Sequence, residues 1–383
     1  MSVTHPQGFV AAGVSAGLKS SGDKDVALIV NIGPSDVAAA VWTSNRCKAN
    51  PVLWSQQAAK DGKARVVVAN SGGANCYTGS AGFQLTHATA ELAAELVDCA
   101  PLDVLVCSTG LIGLLNDSDT LLDGVRSAAA GLTDTGGPDA AAAILTTDSV
   151  AKTTVVEGPG WSIGGMAKGA GMLAPGLATM LVFLTTDADV TSAVADEALR
   201  SATRVTFDRL DSDGCMSTND AVVLLDSGAS EVTPTYAEFS SALTSVCRDL
   251  AQQLLRDAEG ADHDIEIIVR GAGSEEDAVE VGKAVARSNL FKCAIFGQDP
   301  NWGRILAAVG TTQAAFDPAD LDVALNGVWV CRSSTPTAAR DAVDLSPREV
   351  TVDIDLKSGD ATATVWTNDL THAYVHENSA YAS

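Results

Sequence analysis

The chain has 383 residues, 46% of them hydrophobic and 19% charged, a composition that folds and leaves ample material for a packed core. Lys and Arg number 24 against 48 Asp and Glu, a formal net charge of −24. That excess of carboxylates repels phosphate backbones and anionic lipid, so it argues against nucleic acid or a membrane surface as partner. In chain order, runs of β-branched residues predict strands over Val26–Val30, Val37–Trp42, Arg65–Ala69 and Asp103–Cys107, with helices over Ala81–Val97 and Ser118–Ala130. The Ala-, Gly- and Pro-rich stretch Ala128–Ala143 reads as either a linker or helix. Met180–Leu184 fits a buried strand, Val190–Phe207 a helix, and Ala221–Leu225 a strand. Tyr236–Ala258 is the clearest helix, with Phe239, Leu243, Val246, Leu250 and Leu254 at spacings of three and four and Gly260 as its stop. A strand over Ile265–Val269, a helix over Glu275–Asn289 and extended segments near Val323, Val328, Val352 and Val365 complete a mixed α/β chain.

The most apolar stretch, Ala170–Leu184, is broken by Pro175, Gly176 and Thr179 and falls short of the ~20 residues a membrane-spanning helix needs. Met1–Pro6 has neither the basic nor the apolar region of a secretory signal. The eight cysteines are scattered without a C-x-x-C pair, as expected of reduced thiols in a cytoplasmic chain.

Glycines gather with Thr, Lys, Asn and Asp in short polar clusters, at Ser71–Asn75, Ser108–Gly110, Gly164–Gly171, Asp213–Gly214 and Gly297–Gly303. Loops at strand ends are where binding and catalytic groups sit. Gly13-Val14-Ser15-Ala16-Gly17 has the spacing of a nucleophile elbow, but Ser20, Ser21, Gly22 and Asp23 leave no room for the long helix that motif requires. Gly169-Ala170-Gly171-Met172-Leu173-Ala174 fits a loose dinucleotide fingerprint, yet Pro175-Gly176 follows where a helix should open. His372 and His376 would share a helical face beside Glu377, with no matched third metal ligand in the sequence. With five histidines in all, a serine–histidine pair has few candidates.

A threonine hydroxyl becomes a nucleophile when a base takes its proton, and an N-terminal threonine carries that base in its own α-amine, whose ordinary pKa is about 7.7–8.0. Thr179 is placed for such chemistry, after Ala174-Pro175-Gly176-Leu177-Ala178 and before an apolar run. On these residues alone, a threonine opening a buried strand is the simpler reading.

The chain as a whole resembles the ornithine acetyltransferase (glutamate N-acetyltransferase) family of arginine biosynthesis. The resemblance runs through Gln7-Gly8-Phe9, Ala16-Gly17-Leu18-Lys19, Asn70-Ser71-Gly72-Gly73-Ala74-Asn75, Ser108-Thr109-Gly110-Leu111-Ile112-Gly113 and Thr146-Thr147-Asp148. It continues through Ala167-Lys168-Gly169-Ala170-Gly171-Met172, Ala178-Thr179-Met180-Leu181, Ser217-Thr218-Asn219-Asp220, Gly297-Gln298-Asp299-Pro300-Asn301-Trp302-Gly303-Arg304 and Glu377-Asn378-Ser379-Ala380-Tyr381. It implies an α/β fold of helices layered on mixed sheets, N-terminal-nucleophile-like, with a smaller C-terminal α/β domain. It implies self-cleavage between Ala178 and Thr179 into an α chain, 1–178, and a β chain, 179–383, that stay together and pair as α2β2. Thr179 would take the acetyl group of N-acetylornithine and pass it to glutamate by a ping-pong route, without cofactor or metal; some members also accept acetyl-CoA. Thr109 and Gly110 match the oxyanion-hole pair. Thr146, Lys168, Thr179, Glu259, Asn378 and Ser383 match substrate contacts, Lys168 suited to a carboxylate and Glu259 to an ammonium. The sequence departs from the family at Ser149-Val150-Ala151-Lys152, where Pro-Lys is common, and at Phe291. Two other readings stay open at this point: an amidase or aminopeptidase with the same threonine chemistry, and a small-molecule-binding protein that is never cut.

Overall fold

The structure, a computed structural model, describes residues 2–172 and 180–380. Its first half contains β1 (Phe9–Val14), β2 (Val26–Asn31), β3 (Ala38–Trp42), α1 (Asn50–Ala58), β4 (Val66–Asn70), α2 (Gly79–Val97), β5 (Val104–Ser108), α3 (Ser118–Ala130), α4 (Gly137–Ala143), β6 (Lys152–Gly158) and β7 (Trp161–Lys168). The second contains β8 (Leu181–Thr186), α5 (Ser192–Arg204), β9 (Ala221–Asp226), α6 (Tyr236–Arg256), β10 (Asp264–Ala272), α7 (Glu275–Ala286), α8 (Asn289–Phe296) and α9 (Trp302–Val309). It closes with β11 (Asp322–Leu325), β12 (Val328–Arg332), β13 (Thr335–Pro336), β14 (Glu349–Asp355), β15 (Ala361–Asn368) and α10 (His372–Ala380).

Strand alternation stacks two of the three sheets. In β2, Ala27 and Ile29 point one way and Val26, Leu28 and Val30 the other; in β8, Leu181 and Phe183 oppose Val182 and Leu184. Ala27, Ile29, Leu181 and Phe183 share one core, so the four-stranded sheet β1-β2-β4-β5 lies face to face with the five-stranded sheet β3-β9-β8-β7-β6. The outer face of the first sheet is covered by α2 and α3, and that of the second by α5 and α6. The result is four layers, helix–sheet–sheet–helix, as the α/β expectation required. A six-stranded sheet, β13-β12-β11-β14-β10-β15, carries its own core with α7, α8 and α9 and forms the C-terminal unit.

Several expectations are corrected. Ala128–Ala143 is no linker: α3 runs to Ala130, and α4 packs against β1 and β2 so closely that a Cβ on Gly13 would sit 1.9 Å from the Asp139 carbonyl oxygen. Gly13 therefore serves helix packing within β1, a strand the periodicity does not reveal, and no helix follows Ser15. Gly164 and Gly165 are interior to the buried strand β7, where side chains would strike Ser2 and Leu184, so half of that glycine cluster is strand and not loop. The helix expected over Glu275–Asn289 breaks at Arg287, because the Ser288 hydroxyl accepts from Phe291 N–H and caps a new helix. The α6 start is fixed by a reciprocal capping box between Thr235 and Glu238. Among the described residues no group of His, Cys, Asp and Glu is arranged to hold a metal, and no helix is long and apolar enough to cross a membrane. His372 packs edge-on against Phe296 instead.

At the far end of β9, Asp226 accepts from Val190 N–H at 3.1 Å, and burial pushes its carboxyl up to about 7 against the pull of the Val190 and Gly228 amides. The folded chain thus holds a proton there that the unfolded chain, titrating near 3.8, releases. Stability contributed by this group is present below pH 3.8 and falls as pH rises towards about 7. Asp226→Asn removes that loss, so urea titrations should show the variant gaining on wild type from pH 4 to pH 7. A stability difference that does not change with pH would contradict the assignment.

Candidate active site

Strands of both sandwich sheets end at one cavity of about 320 Å³, which Glu259 after α6 and Asn378 of α10 border on its other side. Thr109 and Gly110 follow β5; Thr146 lies after α4; Lys168 ends β7; Glu259 follows α6; Asn378 comes from α10. These six residues, singled out from the sequence at separations of up to hundreds of positions, line the same space. Ala178, Thr179 and Ser383 lie outside the described residues.

Gly110 explains its own identity. Its φ is +123°, and a Cβ would come within 2.6 Å of the Gly72 carbonyl carbon, so only glycine lets this turn lie against the Ser71–Asn75 loop. The Thr109 amide is spent on the Asn70 carbonyl at 2.9 Å, while among the described residues the Gly110 amide has no partner. The buried Thr109 hydroxyl accepts from Lys168 Nζ at 3.2 Å, which leaves its own O–H available to donate. The same ammonium donates to the Thr146 hydroxyl at 2.7 Å and faces Asp148 at 3.9 Å. Lys168 is 1% exposed. Burial lowers its pKa, opposed chiefly by the charge of Asp148.

Asp148 is the organiser that sequence reading did not single out. Its carboxylate accepts from the Thr146 amide at 3.1 Å, the Gly169 amide at 2.6 Å and the Lys152 ammonium at 2.6 Å. Burial raises its pKa, but Lys168, Lys152 and the Gly169 amide together outweigh that and hold the carboxyl below its usual range. Lys152, fully buried, is shared with Asp257 at 2.5 Å, at the end of α6. A chain of alternating charge thus joins α6, the Thr146 loop and β7. Lys152 sits where the resemblance showed a departure, and only the fold reveals its partners.

Glu259 is held from two sides. Its amide donates to the Ala170 carbonyl at 3.1 Å, and its carboxylate accepts from Asn378 Nδ2 at 2.9 Å. A Cβ on Gly171 would sit 2.6 Å from that carboxylate, and one on Gly260 would meet the Tyr374 backbone at 2.2 Å, so the first glycine makes room for the Glu259 side chain and the second for the close approach of α10. Glu259 also borders a second cavity, of about 360 Å³, beside Lys292 and Tyr374.

A further pair comes from Ser217-Thr218-Asn219-Asp220. Asn219 Nδ2 donates to the Ala74 carbonyl at 2.7 Å and to the Ser108 carbonyl at 2.8 Å, stapling the second sheet to the first beside Thr109. Asp220 precedes β9 and accepts from the Met180 amide at 3.1 Å.

The sequence pattern that defines the ArgJ family matches residues 10–383. The arginine biosynthesis bifunctional protein ArgJ of Streptomyces coelicolor is 61% identical over 383 residues, covering all of both chains, and that of Thermobifida fusca is 61% identical over 384 residues, again covering both completely. Among solved structures, the arginine biosynthesis bifunctional protein ArgJ of Bacillus halodurans is 36% identical and superimposes with a TM-score of 0.50, covering 52% of this chain and 98% of that one. A layered α/β enzyme with a threonine-lined cavity is the class that fold and site define, and the chain belongs to the ArgJ family. It is an acetyltransferase of arginine biosynthesis.

Asn219→Ala leaves two buried carbonyls without their donor, so it should lower the unfolding free energy by about 1–3 kcal/mol in urea titration. An unchanged midpoint would show that the two sheets are joined by other contacts.

Proposed function

We propose that this cavity moves an acetyl group from N-acetylornithine to glutamate through an ester on Thr179, after the chain has cut itself between Ala178 and Thr179. The observation that carries the reading is a pair of donors with no acceptor among the described residues, the Gly110 amide and the Thr109 hydroxyl, which line the cavity at one strand end beside a buried ammonium. Such donors stabilise a tetrahedral oxyanion, and each is worth ~10²–10³ in rate. Leu181, two residues after Thr179 in the sequence, pairs with Lys168 across β8 and β7.

In the first stage the Thr179 hydroxyl attacks the Ala178 carbonyl, the peptide becomes an ester, and water hydrolyses it. The products are 1–178 and 179–383, with a free amine on Thr179. The Bacillus halodurans chain is matched almost completely by about half of this one, as a polypeptide cut near its middle would be. In the second stage that amine takes the hydroxyl proton as the oxygen attacks the acetyl carbonyl of N-acetylornithine. Thr109 and Gly110 hold the oxyanion, and ornithine leaves with the proton. The amine of glutamate then attacks the ester, N-acetylglutamate departs and the hydroxyl is restored. A covalent ester divides one difficult amide exchange into two easier ones. Glu259, steadied by Asn378, is suited to the substrate ammonium. Lys168, with Thr146, supplies positive potential for a carboxylate in an otherwise acidic protein. Ser383 would add a further contact, and two cleaved protomers would associate as α2β2.

Thr179→Ala should stay in one piece by intact mass and lose transfer from N-acetylornithine to glutamate by about 10⁴-fold or more. A variant that still transfers acetyl rejects the mechanism, and release of free acetate without N-acetylglutamate would indicate an amidase. The same assay with acetyl-CoA as donor tests the second activity that the resemblance implies.

A further inference from the structure

The two substrates set an electrostatic problem that one carboxylate cannot solve. Ornithine and glutamate share an α-amine and an α-carboxylate. A site that moves acetyl between their α-amines holds both alike there, with the side chain leaving in the same direction. Ornithine's side chain ends in an ammonium and glutamate's in a carboxylate. Glu259, steadied by Asn378 Nδ2 at 2.9 Å, suits the first and repels the second. Lys168 does not answer the difference, because its donors are directed to the Thr109 and Thr146 hydroxyls at the oxyanion end.

Glu259 stands between two cavities. It borders the one of about 320 Å³ with Thr109, Gly110 and Lys168, and the one of about 360 Å³ with Lys292 and Tyr374. Lys292 lies in the first turn of α8 and is 5% exposed. There the helix dipole adds to its positive charge instead of offsetting it. Its Nζ donates to the Ser212 carbonyl and, at 3.0 Å, to the Thr367 hydroxyl. Both acceptors are neutral, and they use two of an ammonium's three N–H bonds. Two carboxylates around it are engaged elsewhere: Asp211 accepts from Arg287 Nε at 2.7 Å, and Asp369 meets His263 Nδ1 at 2.7 Å.

We propose that Lys292 binds the side-chain carboxylate of the acceptor glutamate, so that Glu259 serves the donor and the second cavity serves the acceptor. The glutamate side chain passes Glu259 and ends on an ammonium fixed by Ser212 and Thr367. This rests on N-acetylornithine and glutamate using the first cavity in turn. The electrostatics agree. Burial lowers the Lys292 pKa to about 8, against the charges of Asp211, Asp213 and Asp369, which leaves the group charged at neutral pH. Burial also raises the pKa of the Tyr374 phenol, which keeps its proton and can donate to the same carboxylate.

The test separates the two half-reactions. Exchange of labelled ornithine into N-acetylornithine, with glutamate absent, reads the half that uses Glu259. Transfer to glutamate reads the other. Both are measured on wild type, Lys292→Met and Asn289→Asp, with a thermal melt of each. We expect Lys292→Met to lower kcat/KM for glutamate about 10–100-fold, the worth of a hydrogen-bonded charge, and to leave ornithine exchange unchanged. Asn289 is the first residue of α8 and lines the same cavity, so Asn289→Asp adds a like charge at a helix end that favours an acidic residue. It should lower kcat/KM for glutamate about 3–10-fold, again without touching exchange. It decides the question if the Lys292→Met melt shows an unfolded chain. A wild-type kcat/KM for glutamate in folded Lys292→Met, or an equal loss of both half-reactions, overturns the proposal while leaving the ping-pong reading in place. The same results in Asn289→Asp overturn it when that variant must decide. Absence of ornithine exchange in wild type overturns the ping-pong reading, and the proposal with it.

Discussion

An ammonium without access to water organises this protein. Burying a charge costs several kcal/mol unless it is paired and hydrogen-bonded, and Lys168 meets that condition only where β7 ends between Thr109, Thr146 and Asp148. The partners come from two separate parts of the chain, Thr109 after β5 and the Thr146–Asp148 loop after α4. Thr109 needs the first sheet in place, Thr146 needs α4 packed, and Asp148 needs Lys152 and Asp257 behind it. The site is therefore assembled only when the whole sandwich is, and a defect in any layer reaches the cavity through one side chain.

The same arrangement reconciles an acidic molecule with small acidic and zwitterionic substrates. A net charge of −24 sets a field that repels carboxylates. Lys152 is sequestered between the carboxylates of Asp148 and Asp257, and Lys168 donates to the Thr109 and Thr146 hydroxyls, so both charges are fixed in position and turned away from solvent. Threonine hydroxyls polarised in this way present hydrogen-bond donors to the cavity without a mobile cation, and water-excluded dipoles of that kind act far more strongly than they would in bulk solvent.

How much of this was legible in the sequence depends on distance along the chain. The strand Val26–Val30 and the helix from Tyr236 show themselves because burial imposes a period on neighbouring residues. The hairpin of β6 and β7 does not, because buried glycines at 164 and 165 imitate a loop and the fold needs them for their lack of a side chain. Thr109, Gly110, Thr146, Lys168, Glu259 and Asn378 could be proposed together only through resemblance; nothing local links Lys168 to Thr109, 59 positions away. Asn219 and Asp220 were visible as part of a shared motif but without a role. Their roles are hydrogen bonds across 145, 111 and 40 positions, which no window on the sequence contains.

The central claim is that an alcohol carries the acetyl group and that chain scission arms it. Mixing purified protein with N-acetylornithine in the absence of glutamate, quenching in acid and weighing the polypeptides reads this directly. The account predicts two fragments, with one acetyl group added to the fragment that begins at Thr179 and discharged when glutamate is supplied. A single full-length polypeptide that turns over at full rate, or an acetyl group found on any other residue, would contradict it.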